Sequence, residues 1–143
     1  MQAQHSEAAR PMPMPGDPPD AWTRAVFESV DAMDVGTFTA FMADDVRFEF
    51  VGQPATIGRA ATVAYLQAFF GSLDGITHVL HWQIRHQDAL IVHGQAEYRV
   101  GAGTANVSWI NVIQIRDGKI AHYRIFVDSA PLQALLANHR KAN

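Results

Sequence analysis

Two polar side chains, His78 and Asn111, stand among apolar residues, and both could take part in chemistry. An imidazole exchanges protons near neutral pH, so His78 could act as a general acid or base. The amide of Asn111 could donate a hydrogen bond to an oxyanion or to a ligand carbonyl. Each residue also has a structural alternative. A histidine at the start of a strand is often hydrogen-bonded locally, and a buried amide is usually satisfied by backbone or water.

Other chemistries find little support in the sequence. The chain contains no cysteine, which excludes disulfides, thiolate nucleophiles and cysteine metal sites. His78 and His81 are three residues apart on one predicted strand and therefore face opposite ways, so we predict no metal site and no cofactor. Asp128 follows the last predicted strand and precedes Ala130-Pro131, where a turn or helix-cap role is favoured over a catalytic one.

Composition and charge limit the class of partner. Of the 143 residues, 48% are apolar, which is enough for one domain with an ordinary core. The formal net charge of −3 and the lack of a concentrated basic patch give no reason to expect binding to nucleic acid or to a membrane. We expect a cytoplasmic protein with a flexible, Pro-rich arm over residues 1–19 and a single domain over residues 20–143.

Helical patterns occupy the first half of the chain. Asp20 and Asp34 are suitable N-caps for two helices whose apolar residues recur on one face. A strand over residues 46–50 follows, and a third helix is predicted over residues 60–73.

From Ile76 onward the apolar residues follow a period of two. Strands are predicted over residues 77–86, 89–100, 104–116 and 119–127. Strands of this length twist and coil, so an antiparallel meander of them becomes strongly curved. We therefore predict an α+β, cone-like fold in which three N-terminal helices pack on the concave face of a curved, mainly antiparallel sheet.

Alternation within each strand predicts which side chains face the interior. Trp109 and Asn111 share one face of their strand, and the same rule places His78 and Trp82 together. The predicted pocket is mainly aromatic and apolar, and its lining residues are Trp22, Phe50, Tyr65, Trp82, Tyr98, Trp109, Asn111, Tyr123 and Ile125.

Four segments carry a resemblance to a known family. They are MADDV (42–46), IGR (57–59), VIQIRDGKI (112–120) and YRIFVD (123–128). With the order helix, helix, strand, helix and four-strand meander, the chain resembles the nuclear transport factor two-like superfamily, and within it the SnoaL-like proteins. The resemblance covers about residues 22–136 and implies a cone-shaped fold. It implies no single function, since ketosteroid isomerases, limonene epoxide hydrolases, polyketide cyclases and non-catalytic binders share that fold.

The resemblance also assigns the catalytic positions of those enzymes to residues that cannot transfer protons here. The isomerase base and the epoxide hydrolase tyrosine correspond to Phe50, and the acid of the last strand corresponds to Ile125. The charged pair of the hydrolases corresponds to Gly94 and Ala96, and the isomerase tyrosine to Val26. None of the three activities is therefore implied for this chain.

One of the catalytic positions keeps a polar residue, because the oxyanion-binding acid of the isomerases corresponds to Asn111. Three functions therefore stay open. The first function is a pocket protein for a small, mainly hydrophobic molecule that could bear a carbonyl. The second is an isomerase, lyase or cyclase-type enzyme using His78 and Asn111. The third is a dimeric scaffold with a filled interior.

The apolar residues on the opposite face of the sheet indicate self-association. Ile110, Val112 and Phe126 alternate with the interior residues and therefore face outward. Apolar groups in that number favour burial against a second copy, so we predict a two-fold homodimer.

Overall fold

The computed structural model describes residues 14–142, and its helices begin where the sequence supplies caps. Asp20 caps α1 (Ala21–Asp31) by accepting a hydrogen bond from the Thr23 N–H at 2.8 Å. Asp34 caps α2 (Val35–Ala40) in the same way through Thr37. Both predicted N-caps are confirmed. The third helix, α3, spans Arg59–Gly71, and the C-terminal helix, α4, spans Ala130–Ala142.

Six strands form one sheet in the order β2-β1-β6-β5-β4-β3. Their bounds are β1 Met42–Phe50, β2 Thr56–Ile57, β3 Gly75–His86, β4 Ala89–Val100, β5 Gly103–Arg116 and β6 Lys119–Val127. The four long strands β3 to β6 are antiparallel neighbours, whereas β1 lies parallel to β6. The sheet is therefore mixed but mainly antiparallel, and the predicted α+β class is confirmed.

The core lies between the sheet and the three N-terminal helices. Phe27 of α1 stacks on Trp109 of β5 with ring centroids 5.0 Å apart. Phe38 of α2 meets Tyr123 of β6 edge to face at 5.7 Å. These aromatic pairs hold the helices on the concave face, because each ring buries a large apolar area against its partner.

A β-bulge in β3 changes which residues face inward. His78 pairs with Ala96 and Leu80 with Gly94, but Trp82 then pairs with His93, because the register shifts between Leu80 and Trp82. The extra residue reverses the alternation beyond it, so Trp82 joins the convex face and Gln83 turns inward, where it is 6% exposed. The prediction that Trp82 lines the interior is therefore wrong.

The domain begins before residue 20. Asp17 and Gln83 exchange two backbone hydrogen bonds of 2.8 Å each, which adds a bridge to the edge strand β3. Pro19 is also buried. Residues 1–13 of the predicted arm lie outside the described residues. Within the described part, no helix has the length and apolar character needed to cross a membrane.

Candidate functional site

An interior cavity lies between the concave face of the sheet and helices α1 to α3. Its volume is about 40 Å³, enough for about three water molecules. Most of its wall is apolar, and the polar exceptions are His78, Tyr98, Trp109, Asn111 and Tyr123. The full lining is Phe27, Val30, Phe38, Phe48, Phe50, Leu66, Phe69, Phe70, Ile76, His78, Tyr98, Trp109, Asn111, Tyr123, Ile125 and Val127.

Asn111 and Tyr123 form a hydrogen-bonded pair in this wall. They lie on neighbouring strands, where Asn111 pairs with Ile125 and Tyr123 with Ile113, so both side chains emerge on the concave face. The Asn111 Nδ2 donates to the Tyr123 Oη at 2.7 Å. Asn111 is 3% exposed and Tyr123 is 2% exposed, so water outside the protein does not reach this pair.

The pair has hydrogen-bonding capacity left over. Asn111 Oδ1 is buried and has no partner among the described residues, and Tyr123 keeps its own O–H to donate. Turning the amide by 180° would exchange the roles, with Tyr123 donating and the amide N–H left free. In both orientations at least one donor and one acceptor remain. The pair therefore matches a group that both donates and accepts.

Burial keeps the tyrosines of this wall neutral. Desolvation raises the pKa of Tyr123 well above its ordinary value, although the hydrogen bond from Asn111 acts in the opposite direction. Burial likewise raises the pKa of Tyr98 to about 12. A neutral phenol retains its proton and can serve as a hydrogen-bond donor across the whole physiological range.

Trp109 carries a second unused polar atom. Its Nε1 is buried and has no partner within residues 14–142. The indole lies over Gly94, where an added Cβ would stand 2.7 Å from Trp109 Cζ2. Glycine at position 94 therefore makes room for the ring, at a position that the resemblance assigns to a charged residue in the epoxide hydrolases.

His78 is held by Asp31 at one end of the cavity. Asp31 is the last residue of α1, and its Oδ1 lies 2.5 Å from His78 Nδ1. The backbone N–H of His78 also donates to both Asp31 carboxylate oxygens at 3.0 Å. The His78 side chain is 10% exposed and the Asp31 side chain 30%. The carboxylate thus fixes the ring while remaining in contact with solvent.

A more polar recess adjoins this pair on the outside. Its volume is about 270 Å³, and it shares Phe27 and His78 with the interior cavity. The remaining lining residues are Pro19, Arg24, Glu28, Asp31 and Leu80. His78 therefore lies between an apolar interior cavity and a more polar surface depression.

The structure brings together most of the predicted pocket residues, but not all of them. Phe50, Tyr98, Trp109, Asn111, Tyr123, Ile125 and His78 line the cavity. Trp22 does not, because it packs edge to face on Phe41 at 5.8 Å. Tyr65 lies behind the wall, against Phe50 and Phe69. Trp82 stacks on His93 on the convex face.

Asp31 is the polar residue that sequence reasoning missed. It is the last residue of α1, where a carboxylate interacts unfavourably with the helix dipole. That unfavourable position is the one feature of the sequence that could have indicated a special role for Asp31. The structure explains this position, because the carboxylate accepts a hydrogen bond from the backbone N–H of His78 on β3. In the described part of the chain, no cluster of three or more metal-ligating side chains is present.

Comparison with known proteins identifies the family of the domain. The family model described as the SnoaL-like domain matches residues 23–123. No curated protein matches the chain at a significant level.

Solved structures match over most of their length at low identity. An LEH-like epoxide hydrolase of M. tuberculosis is 21% identical, with a TM-score of 0.68, covering 83% of this chain and 89% of that one. An NTF2-like protein of unknown function from Burkholderia pseudomallei is 16% identical, with a TM-score of 0.72 and coverages of 79% and 92%. A putative SnoaL-like polyketide cyclase from Shewanella denitrificans is 10% identical, with a TM-score of 0.69 and coverages of 80% and 93%. At these identities the likeness concerns the fold alone.

Proposed function

The chain belongs to the family of SnoaL-like domains, and we propose that its cavity binds a small, mainly hydrophobic molecule bearing one hydroxyl or amide-like group. The observation that carries this proposal is the unpartnered, buried Oδ1 of Asn111 in an otherwise apolar wall. A buried polar atom without a partner costs about 1–3 kcal/mol. A ligand that supplies the missing hydrogen bond recovers that cost on binding.

The volume of the cavity limits the size of the molecule. An apolar cavity that holds a benzene ring has a volume of about 150 Å³, so a single ring does not fit the cavity as it stands. Binding of one ring requires the wall to open, and Phe50 and Phe69, which are only partly buried, can move toward solvent.

The chemistry of the wall limits the polar group. A hydroxyl or primary amide donates to Asn111 Oδ1 and accepts from the Tyr123 O–H at the same time. A ketone can accept from the amide N–H when the amide is turned, because the Tyr123 O–H then satisfies the Asn111 oxygen. We therefore expect alcohols, phenols, amides and ketones to bind more tightly than hydrocarbons of the same shape.

Matched ligand pairs test this proposal. Phenol and toluene have nearly the same shape but differ in one hydroxyl, so each is added to the wild type and the melting temperature is recorded. We expect phenol to raise the melting temperature more than toluene does. In the double variant Asn111→Leu/Tyr123→Phe that preference should disappear, because no polar partner for the hydroxyl is left in this part of the wall.

Two results would contradict the proposal. The first is equal stabilisation of the wild type by both molecules, and the second is a phenol preference that survives in Asn111→Leu/Tyr123→Phe. If no single-ring molecule has any effect, the interior serves only as a packed core, and the scaffold alternative stands instead.

A further inference from the structure

We propose that Tyr98 is a second polar contact for the molecule in the cavity, and that this molecule carries a second oxygen on the side opposite the group bound by Asn111 and Tyr123. The inference rests on the proposed function, because it concerns the same cavity and extends the description of its ligand. The expected ligand then has a polar group at each end of a ring, as a para-substituted phenol does.

The hydroxyl of Tyr98 is available to a ligand. Tyr98 is 6% exposed and lines the interior cavity. Its ring meets Phe69 edge to face at 6.2 Å, but its hydroxyl makes no hydrogen bond to any described residue. The hydroxyl also retains accessible surface, in contrast to Trp109 Nε1, which is unpartnered and enclosed. Since the residue lines the cavity, a molecule bound there can reach this oxygen.

Tyr98 and Asn111 lie far apart along the strands. Tyr98 pairs with Ala105, which lies six residues before Asn111 on β5. Six residues of a flat strand span about 20 Å, and the curvature of the sheet and the length of a tyrosine side chain reduce this gap. The two polar groups therefore contact the cavity from opposite ends.

Two aromatic rings separate Tyr98 from Asn111. The Phe69 ring centroid lies 6.2 Å from that of Tyr98 and 5.7 Å from that of Phe50. Phe50 and Asn111 both pair with Ile125, so they lie in one row across the sheet. Phe50 and Phe69 are also the partly buried rings that move when a ligand enters. A ring that takes their place lies between Tyr98 and Asn111, with one edge toward each.

The electrostatics of the wall limit the second group of the ligand. Burial raises the pKa of Tyr98 to about 12, and Tyr65 acts in the same direction, so the hydroxyl stays neutral at physiological pH. A neutral phenol can donate to an oxygen or accept from a hydroxyl. Among the described residues, the cavity lining includes no lysine or arginine that could neutralise a carboxylate. The second group is therefore a hydroxyl, ether or carbonyl oxygen.

Matched pairs of para-substituted phenols test the inference. Hydroquinone and p-cresol differ as phenol and toluene do, by a hydroxyl in place of a methyl group. 4-Hydroxybenzyl alcohol and 4-ethylphenol repeat the comparison with the second group one atom farther from the ring. Dissociation constants are measured by isothermal titration calorimetry on the whole chain, with ascorbate present to keep hydroquinone reduced. In at least one pair, we expect the second hydroxyl to tighten binding about two- to tenfold, the usual effect of one hydrogen bond.

Tyr98→Phe should remove this preference, because it deletes the hydroxyl and keeps the ring. Tyr65→Phe makes the same chemical change behind the cavity wall, so it is the matched control and should keep the preference. Because the Tyr98 hydroxyl has no protein partner, unliganded Tyr98→Phe should melt at the wild-type temperature or slightly above it. A marked fall in that temperature would show a structural role for the hydroxyl and contradict the inference.

Equal affinities within both pairs for the wild type, or a preference that survives in Tyr98→Phe, would overturn the inference. The comparison of phenol with toluene distinguishes this outcome from failure of the proposed function, because neither molecule has a second polar group. A preference for phenol over toluene, with no preference within either para-substituted pair, leaves the binding proposal intact and removes only the role of Tyr98.

Discussion

Oδ1 of Asp31 lies 2.5 Å from Nδ1 of His78, although 47 residues separate them in the chain. The contact joins the end of α1 to the first residues of β3, and His78 also lines the interior cavity. Three hydrogen bonds reach the same carboxylate, from the ring and from the backbone of His78. The position and the hydrogen bonding of His78 thus depend on a single side chain, that of Asp31 at the end of α1.

Asp31→Ala is expected to destabilise the fold. It removes the acceptor for the His78 backbone N–H and ring, and hydrogen bonds to a charged group contribute about 1.5–3 kcal/mol each when buried. Since the Asp31 side chain is 30% exposed, we expect a total loss of about 1–3 kcal/mol. Urea denaturation measures it. Asp88→Ala, in the exposed hairpin after β3, is the control, and a loss no larger than in that control would contradict the prediction.

Asn111 and Tyr123 should show strong coupling in a double-mutant cycle. Asn111→Leu strands the Tyr123 hydroxyl, and Tyr123→Phe strands the Asn111 amide, so each single change should cost about 1–3 kcal/mol of stability, less any relief of the unpartnered Oδ1. The double variant leaves no polar atom behind. We expect its free energy of unfolding to equal or exceed that of the wild type.

The cycle is measured by chemical denaturation of all four proteins. Additive losses of unfolding free energy, with the double variant the least stable, would mean that Asn111 and Tyr123 contribute independently and are not coupled.

The sequence predicted the fold more fully than the site, and the reasons are physical. Alternation predicted the inward faces of β4 and β5 because their register is unbroken from Ala89↔Gln114 to Val100↔Gly103. It failed after Leu80 because one extra residue in β3 reverses the alternation, and no local feature of the sequence marks the bulge. Asp31 was missed for a different reason. Its partner lies on another element, and contacts between distant segments leave no periodic signal.

The surroundings of His78 likewise could not be predicted from the sequence. The sequence left a choice between an acid–base residue and a locally hydrogen-bonded histidine. The structure contains features of both, since the residue is hydrogen-bonded at Nδ1 and also lines the cavity. The ring of His78 also lies 5.5 Å from that of Trp109, and His78 lines the outer recess.

The convex face should mediate a two-fold dimer. Ile110 and Phe126 are cross-strand neighbours and are 37% and 38% exposed, and Val79 on the same sheet is 54% exposed. Burying them against a second copy removes apolar surface from water. Light scattering at micromolar concentration should give twice the monomer mass, and Ile110→Glu should give a monomer. A wild-type monomer under these conditions would contradict the prediction.

The segment just before α1 should contribute to stability. Deleting residues 1–17 removes the two hydrogen bonds between Asp17 and Gln83, each of which contributes about 0.5–1.5 kcal/mol. It also exposes the edge of β3. We expect a lower melting temperature than for a deletion of residues 1–13, which keeps every described contact. Equal melting temperatures for the two deletions would show that this bridge adds nothing.

The most direct test of the binding site is a crystal structure of the protein soaked with phenol. We expect the ring to occupy the interior cavity and its oxygen to lie within hydrogen-bonding distance, about 2.5–3.0 Å, of both Asn111 and Tyr123. The ring should also contact the aromatic wall that Phe27, Phe38 and Phe48 form. A cavity that contains only water, or phenol bound at another position on the protein, would contradict the proposed binding site.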